Sequence, residues 1–424
     1  MKPTQPQSLP GPDDITRVIL PNGITVLART NFNSPSVVLG GYLPCGSLFD
    51  PDEKLGLADF TTSSLLRGSE KRDFQEIFED LESAAANLSF SAGGHTAGFT
   101  GRCLTEDLTL LLDLLADALR RPVFPDEQVE RLRSMFLTGL AIRAQDTADM
   151  ASLTFDQIVF KDHPYSRPDD GWPETIQSIT RNDLAEFHRV HYGPKGLVIA
   201  IVGAVNVKKI AGQVAEVLGD WVNPSQPDLP SLPELKPMKK TITRKVKIPG
   251  KSQTDLVIGT SGPRRKDAEF MPATLGNSVL GQFGMAGRIG EVVREKSGLA
   301  YYASSSLSAG IGPGAWDVSA GVNPGNVQKA RDLIVKEIAL FVEKGVSDEE
   351  LADSQSNFIG RLPLSLESNG GVVNALLNIE RFDLGMDYYR RYPVLVRSVT
   401  PADVLGAARK FLNPDILAVA IAGA

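Results

Sequence analysis

TRNDLAEFHRVHYGPKGLVIAIVG, residues 180–203, returns 220 positions later as TPADVLGAARKFLNPDILAVAIAG, residues 400–423. Each copy opens with a Thr whose hydroxyl can accept backbone N–H bonds, and an Asp three residues on opposes the helix dipole, so Thr180 and Thr400 predict N-caps. Each helix is stopped before a proline, Pro194 or Pro414, and feeds an apolar strand ending at Gly203 or Gly423. Three landmarks at one shared offset point to an internal duplication. A second pair of segments, Pro125-Asp126-Glu127-Gln128-Val129 and Ser347-Asp348-Glu349-Glu350-Leu351, opens a long helix in each half at an offset of 222. Between these landmarks, helical patterns such as Leu108 to Leu119 alternate with short β-branched segments such as Gly23 to Leu27, Asp255 to Gly259 and Trp316 to Gly321. Each half therefore predicts an α+β domain, a sheet covered by helices.

The 424 residues are too many for one ordinary core, and the stretch Asn223 to Lys240, with five prolines, can continue neither a helix nor a central strand. It reads as a linker at 223–240 between domains at 1–222 and 241–424. With 42% apolar and 22% charged residues the composition is that of a globular protein, and a net charge of -7 argues against a nucleic-acid surface. The two cysteines, Cys45 and Cys103, have neither metal-type nor redox-type spacing and read as buried thiols. Residues 1–14 are polar and Pro-rich with no secretory pattern, and the longest apolar runs reach roughly half the ~20 residues of a membrane span. The expected location is cytoplasmic, or periplasmic if a leader has been removed, with no membrane partner.

Chemistry enters at GLADFTTSSLLRGS, residues 56–69. The segment resembles the signature helix of the pitrilysin and insulinase-type zinc peptidases (family M16), where H-x-x-E-H sets two His ligands one helical turn apart beside a Glu general base. Carried across, the first His position is Asp59, the Glu position Thr62 and the second His position Ser63. The family's third ligand, a Glu on a later helix, falls near Leu140 and Ala141, and no acidic residue occurs from Arg131 to Gln145. Neutral hydroxyls are poor zinc ligands, and Thr62 has no means of acting as a base at neutral pH. The expectation is no metal and no cofactor in this chain, and no activity from it alone. His188 and His191 are three residues apart, but they lie in the repeated helix, where the second copy has Ala408 and Phe411, so they read as helix-end packing or exposed side chains. His95 and His163 stand in loop sequence without ligand spacing.

The second half carries REKSGLAY, residues 294–301, preceded by Gly287-Arg288-Ile289. It is similar to the R-E-K-x-G-L-x-Y segment of the same family's C-terminal domains. The resemblance implies that Arg294 and Tyr301 grip a substrate backbone near the scissile bond, a guanidinium fork and a phenol being suited to carbonyl oxygens and to developing negative charge. GQFGMAG, residues 281–287, occupies the region where non-catalytic subunits of the mitochondrial processing peptidase type have a glycine-rich substrate loop; Gly281, Gly284 and Gly287 are the candidate substrate-contacting positions, and an ordinary loop is the equal alternative. The resemblance implies two homologous domains, each an antiparallel-rich sheet flanked by helices (the LuxS/MPP-like metallohydrolase fold). It also implies a heterodimer with a homologous subunit that bears H-x-x-E-H and supplies the zinc, acting on peptides or unfolded protein. The rival reading is a structural or binding module of the same fold without a peptidase role.

Overall fold

The computed structural model describes residues 9–282 and 287–424. Its backbone forms two compact units, each built around one sheet. The strands are β1 Thr16–Ile19, β2 Thr25–Thr30, β3 Ser36–Leu43, β4 Asn87–Ala92, β5 Ala97–Leu104 and β6 Val198–Gly203 in the first sheet. The second sheet holds β7 Ile242–Lys247, β8 Thr254–Ser261, β9 Ala300–Leu307, β10 Ala315–Val322 and β11 Ala418–Gly423.

The order β1-β2-β6-β3-β5-β4 in the first sheet and β7-β11-β8-β10-β9 in the second repeats strand for strand once β1 is set aside. β6 and β11, the two strands 220 residues apart, each have one parallel neighbour, β2 or β7, and one antiparallel neighbour, β3 or β8. Every residue of both is buried, as expected of β-branched and Ala-rich runs in the middle of a covered sheet. The helices feeding them are capped alike. Thr180 Oγ1 accepts from Asp183 N at 3.2 Å while Asp183 Oδ2 accepts from Thr180 N at 2.7 Å; the same pair of bonds joins Thr400 and Asp403 at 3.2 and 2.9 Å. Such a box contributes about 1 kcal/mol to fixing where a helix starts.

Of the described residues, the first unit comprises 9–140, 168–231 and 362–391, and the second 141–167, 232–282, 287–361 and 392–424. Accordingly the helix Asn369–Phe382 packs on β3 and β6 of the first sheet, while Thr147–Val159 packs on β8 and β11 of the second. These two helices start 222 residues apart and so occupy equivalent places in the duplication. In the second unit, Trp316 is fully buried and its indole N–H donates to Asn277 Oδ1 at 3.0 Å, so its one polar atom is satisfied in the core. No helix among the described residues is long and apolar enough to cross a membrane.

Candidate functional site

The helix Leu57–Ser64 in the first unit carries Asp59, Thr62 and Ser63. Its start is held from a distance: the buried Asp50 carboxylate accepts from Gly56 N and Ala58 N, both at 2.9 Å, satisfying two of the helix's free donors. Thr61, Thr62 and Ser64 each return their hydroxyl proton to a carbonyl four residues back, at 2.8, 2.7 and 2.7 Å. Having donated to Ala58, Thr62 Oγ1 accepts from the Tyr192 phenol 2.8 Å away. Burial holds that phenol far above its usual range and pushes the neighbouring Cys45 thiol up to about 12 and Cys103 to about 11, so neither cysteine offers a thiolate.

Asp59 has a different problem. Burial pushes its carboxyl up to about 7, and the carboxylates of Asp170 and Asp169 add repulsion. Thr62 and Ser63 line a pocket with Leu140, where the family's third ligand would fall; Asp59 does not line it. Three of the four motif positions therefore line one pocket, and they bring to it two hydroxyls and an isobutyl group. Thr62 is committed to two hydrogen bonds, and Asp59, the one carboxylate among the motif positions, does not line the pocket. These residues do not fit a zinc ion. Among the described residues, no three His, Cys, Asp or Glu side chains stand close enough to share a metal. His188 donates Nε2–H to the Leu119 carbonyl (2.9 Å) and stacks on Tyr192; His191 lies between the Phe49 and Phe187 rings at 4.4 and 4.5 Å. Burial pulls both imidazoles down to about 4, so both are neutral packing groups at pH 7. We expect metal analysis of the dialysed chain to find no stoichiometric zinc, and His188→Gln to leave the metal content unchanged; one tightly held zinc lost in that variant would contradict the geometry.

Arg294 and Tyr301 lie in the second unit, at a helix-to-strand corner. The helical segment Gly290–Glu295 is wound wide, with Lys296 N donating to Glu291 O, and it closes through Gly298 N to Arg294 O at 2.9 Å and Leu299 N to Val293 O at 3.1 Å. Gly298 makes this turn at φ 61°, the left-handed region that a side chain disfavours. Arg294 is exposed and among the described residues meets only Glu295, at 3.8 Å, Glu291 being taken by Lys296 at 2.8 Å.

Tyr301 owes its placement to a slip in the ladder. β10 pairs Gly321 with Tyr302 and Val322 with Ala300, which leaves Tyr301 as the extra residue of a β-bulge in the edge strand β9. Bulges turn a side chain out of the pleat. Tyr301 is 64% exposed and makes no hydrogen bond among the described residues. Its neighbour does the reverse: Tyr302 donates its hydroxyl to Asp255 at 2.6 Å, a 1%-exposed carboxylate that also accepts from Thr147 and from Gln253 at 3.0 Å. Gly321 makes room, since a Cβ there would stand 2.6 Å from the Tyr302 ring and 2.9 Å from Asp255. A buried anchor at 302 and a bulge at 301 thus aim the free phenol outward.

Gly281 and Gly287 touch through their backbones, a Cβ on Gly287 falling 2.4 Å from Gly281 Cα. Gly284 lies outside the described residues. Arg288 pins the segment after them with two bonds to Glu350, at 2.8 and 2.6 Å. The Tyr302–Asp255 anchor, the bulge and the cation Arg67 in the pocket wall were not reached from sequence; the doubled Tyr after Gly298-Leu299-Ala300 was the signal for the first.

A duplicated α+β chain with a histidine-free copy of a peptidase signature helix and an outward Arg/Tyr corner defines a metallopeptidase-type scaffold. Two family profiles match it, one described as insulinase (peptidase family M16) over residues 25–167 and one as peptidase M16 inactive domain over residues 178–358. The chain belongs to peptidase family M16. An uncharacterized zinc protease of Streptomyces coelicolor is 27% identical over 405 residues, 94% of this chain and 87% of the relative. A probable mitochondrial-processing peptidase subunit beta of Arabidopsis thaliana is 27% identical over 203 residues, 48% of this chain and 38% of that protein. Among solved structures, a peptidase M16 inactive domain from Pseudomonas fluorescens matches with a TM-score of 0.89 and 25% identity over 97% of this chain and 98% of its own. A protease from Helicobacter pylori shares the fold, with a TM-score of 0.89 at 17% identity over 98% and 100% of the two chains.

Proposed function

We propose that this chain is the non-zinc-binding subunit of a heterodimeric zinc metalloendopeptidase. A homologous subunit carrying H-x-x-E-H supplies the metal, and this chain supplies Arg294 and Tyr301 to the peptide substrate. The observation that carries the reading is the bulged, exposed Tyr301, whose hydroxyl makes no hydrogen bond among the described residues, beside a Tyr302 whose hydroxyl makes one. A phenol so placed can donate to an oxyanion, and the neighbouring exposed guanidinium can hold a backbone carbonyl or a carboxylate. Gly281, Gly284 and Gly287 are proposed to border the peptide channel. The misfit of Thr62 and Ser63 to zinc, with Asp59 outside the pocket they line, supports a metal held elsewhere. That one relative is named as a subunit of a processing peptidase favours pairing as well.

The test is affinity purification of the tagged chain from its native host under mild conditions. The expected result is co-elution of a chain of similar size bearing H-x-x-E-H, with one zinc per pair and peptidase activity in that fraction only. Recovery of this chain alone, or with partners lacking the motif, would make it a structural or binding module.

A further inference from the structure

Six lysines and one arginine stand between Leu235 and Thr254 with no Asp or Glu among them, in a chain whose net charge is -7. All but Lys251 are exposed, and none of the seven forms an ion pair among the described residues. The stretch contains β7, the last strand of the second sheet, which pairs on one side only, with β11. Ile242 N donates to Leu417 O at 3.0 Å and Ile248 N to Gly423 O at 2.6 Å. Main-chain groups along a strand point alternately to either side, so those of Ile242, Arg244, Val246 and Ile248 serve β11, and those of Thr243, Lys245 and Lys247 face the open edge.

The first unit shows what fills such an edge. There Thr25 N donates to Leu197 O and Asn31 N to Gly203 O, the same two bonds in the other copy. The far side of β2 is taken by β1, antiparallel, with Thr16 opposite Ala28 and Val18 opposite Val26. When the two copies are aligned on these bonds, Val26 falls on Thr243 and Ala28 on Lys245, so the open groups of β7 are the ones that β1 occupies in the first sheet. The chain's own counterpart of β1, residues 233–236, forms no strand, because Pro233 and Pro237 stand where Thr16 and Leu20 do and have no N–H to give.

We propose that the open edge of β7 binds an extended acidic segment of a partner protein, added antiparallel as β1 is on β2. Its acidic residues lie opposite Lys245 and Lys247, and the apolar residues between them lie beside Ile242 and Val246, which are half-buried on the other face. The same lysines repel a second copy of β7, like charges opposing one another across an antiparallel pair, so the occupant is not another copy of this edge. An anionic surface with no backbone to pair would meet the cations and leave the main-chain groups unused. All of these residues of β7 and β11 belong to the second unit, and the inference rests neither on zinc nor on the proposed catalytic pairing.

The experiment is fluorescence anisotropy on the purified full chain with a short labelled peptide alternating glutamate and valine, its analogue with lysine for glutamate, and two N-methylated forms of the acidic peptide. A residue opposite Lys245 turns its N–H toward β7, so methyl groups on the glutamate nitrogens should lower affinity at least roughly tenfold, whereas methyl groups on the valine nitrogens should leave it unchanged. Thr243→Pro removes an outward N–H but no charge and no bond to β11, and should weaken binding by a similar factor. Lys245→Glu together with Lys247→Glu should reverse the preference, so that the lysine peptide binds and the glutamate peptide does not, an outcome that a folding defect cannot produce. Equal binding of the two N-methylated forms, undiminished binding by Thr243→Pro, or a glutamate preference that survives the charge reversal overturns the proposal. Binding of anionic vesicles or duplex DNA while the acidic peptide fails to bind would also overturn it, the strip then serving a lipid surface or a nucleic acid.

Discussion

Tyr301→Phe should lower kcat of the assembled pair by about 10²- to 10³-fold, the usual cost of removing one preorganised donor to an oxyanion. The substitution deletes only a hydroxyl, and that hydroxyl makes no hydrogen bond in the described chain and points from a bulge into solvent. Folding, assembly and the zinc content of the pair should therefore be unchanged, and KM should move little. Arg294→Ala should weaken peptide binding and so raise KM as well, because its side chain is exposed and tied only loosely to Glu295. The adjacent Tyr302→Phe provides the contrast. It removes the 2.6 Å bond to a buried carboxylate and should cost about 1–3 kcal/mol of stability. Two neighbouring tyrosines thus separate a chemical role from a structural one. If Tyr301→Phe and Arg294→Ala both cleave at wild-type rates within an intact pair, the corner has no catalytic part.

The duplication was legible in the sequence because it is written in local chemistry. A Thr/Asp cap, a stopping proline and an all-apolar strand need no distant partner to be recognised, and β6 and β11 occupy equivalent places in the two sheets. The replacement of metal donors at Asp59, Thr62 and Ser63 was equally plain, since residue type alone decides ligand chemistry. What stayed hidden is non-local. The bulge exists only in the pairing of Tyr302 with Gly321 and Ala300 with Val322, and nothing within residues 294–301 announces it. An apolar stripe such as that of Thr147–Val159 fits any sheet, so periodicity predicts the helix and not the strands it covers. Arg67 stood in the quoted signature segment, yet its place over the Phe74 ring without an ion pair among the described residues depends on every element around it.

Asp59 gives the second large effect, and its sign follows from the direction of the shift. The carboxyl rises from an ordinary value of 3.8 to about 7 on folding, so between these values the native state binds more protons than the unfolded one. Stability is then fullest below about pH 4, declines as pH rises, and the loss is complete above about pH 7. About three pKa units at ~1.36 kcal/mol each, reduced for solvent screening of a partly exposed group, leave a penalty of roughly 2–4 kcal/mol at pH 8. Asp59→Asn keeps the size and removes the charge. The variant should match the wild type in urea unfolding near pH 4 and exceed it by about 2–4 kcal/mol at pH 8, the difference growing through the interval. His188 and His191, depressed to about 4, act in the opposite sense, their contribution being lost as pH falls below about 6.5. Because Asp59 is not among the charges acting on either imidazole, the histidine contribution is common to both proteins and cancels in the difference. A difference that stays flat from pH 4 to pH 8 would mean that the Asp59 carboxyl is already ionised in the folded chain, and a cation would then have to be sought beside Asp169 and Asp170.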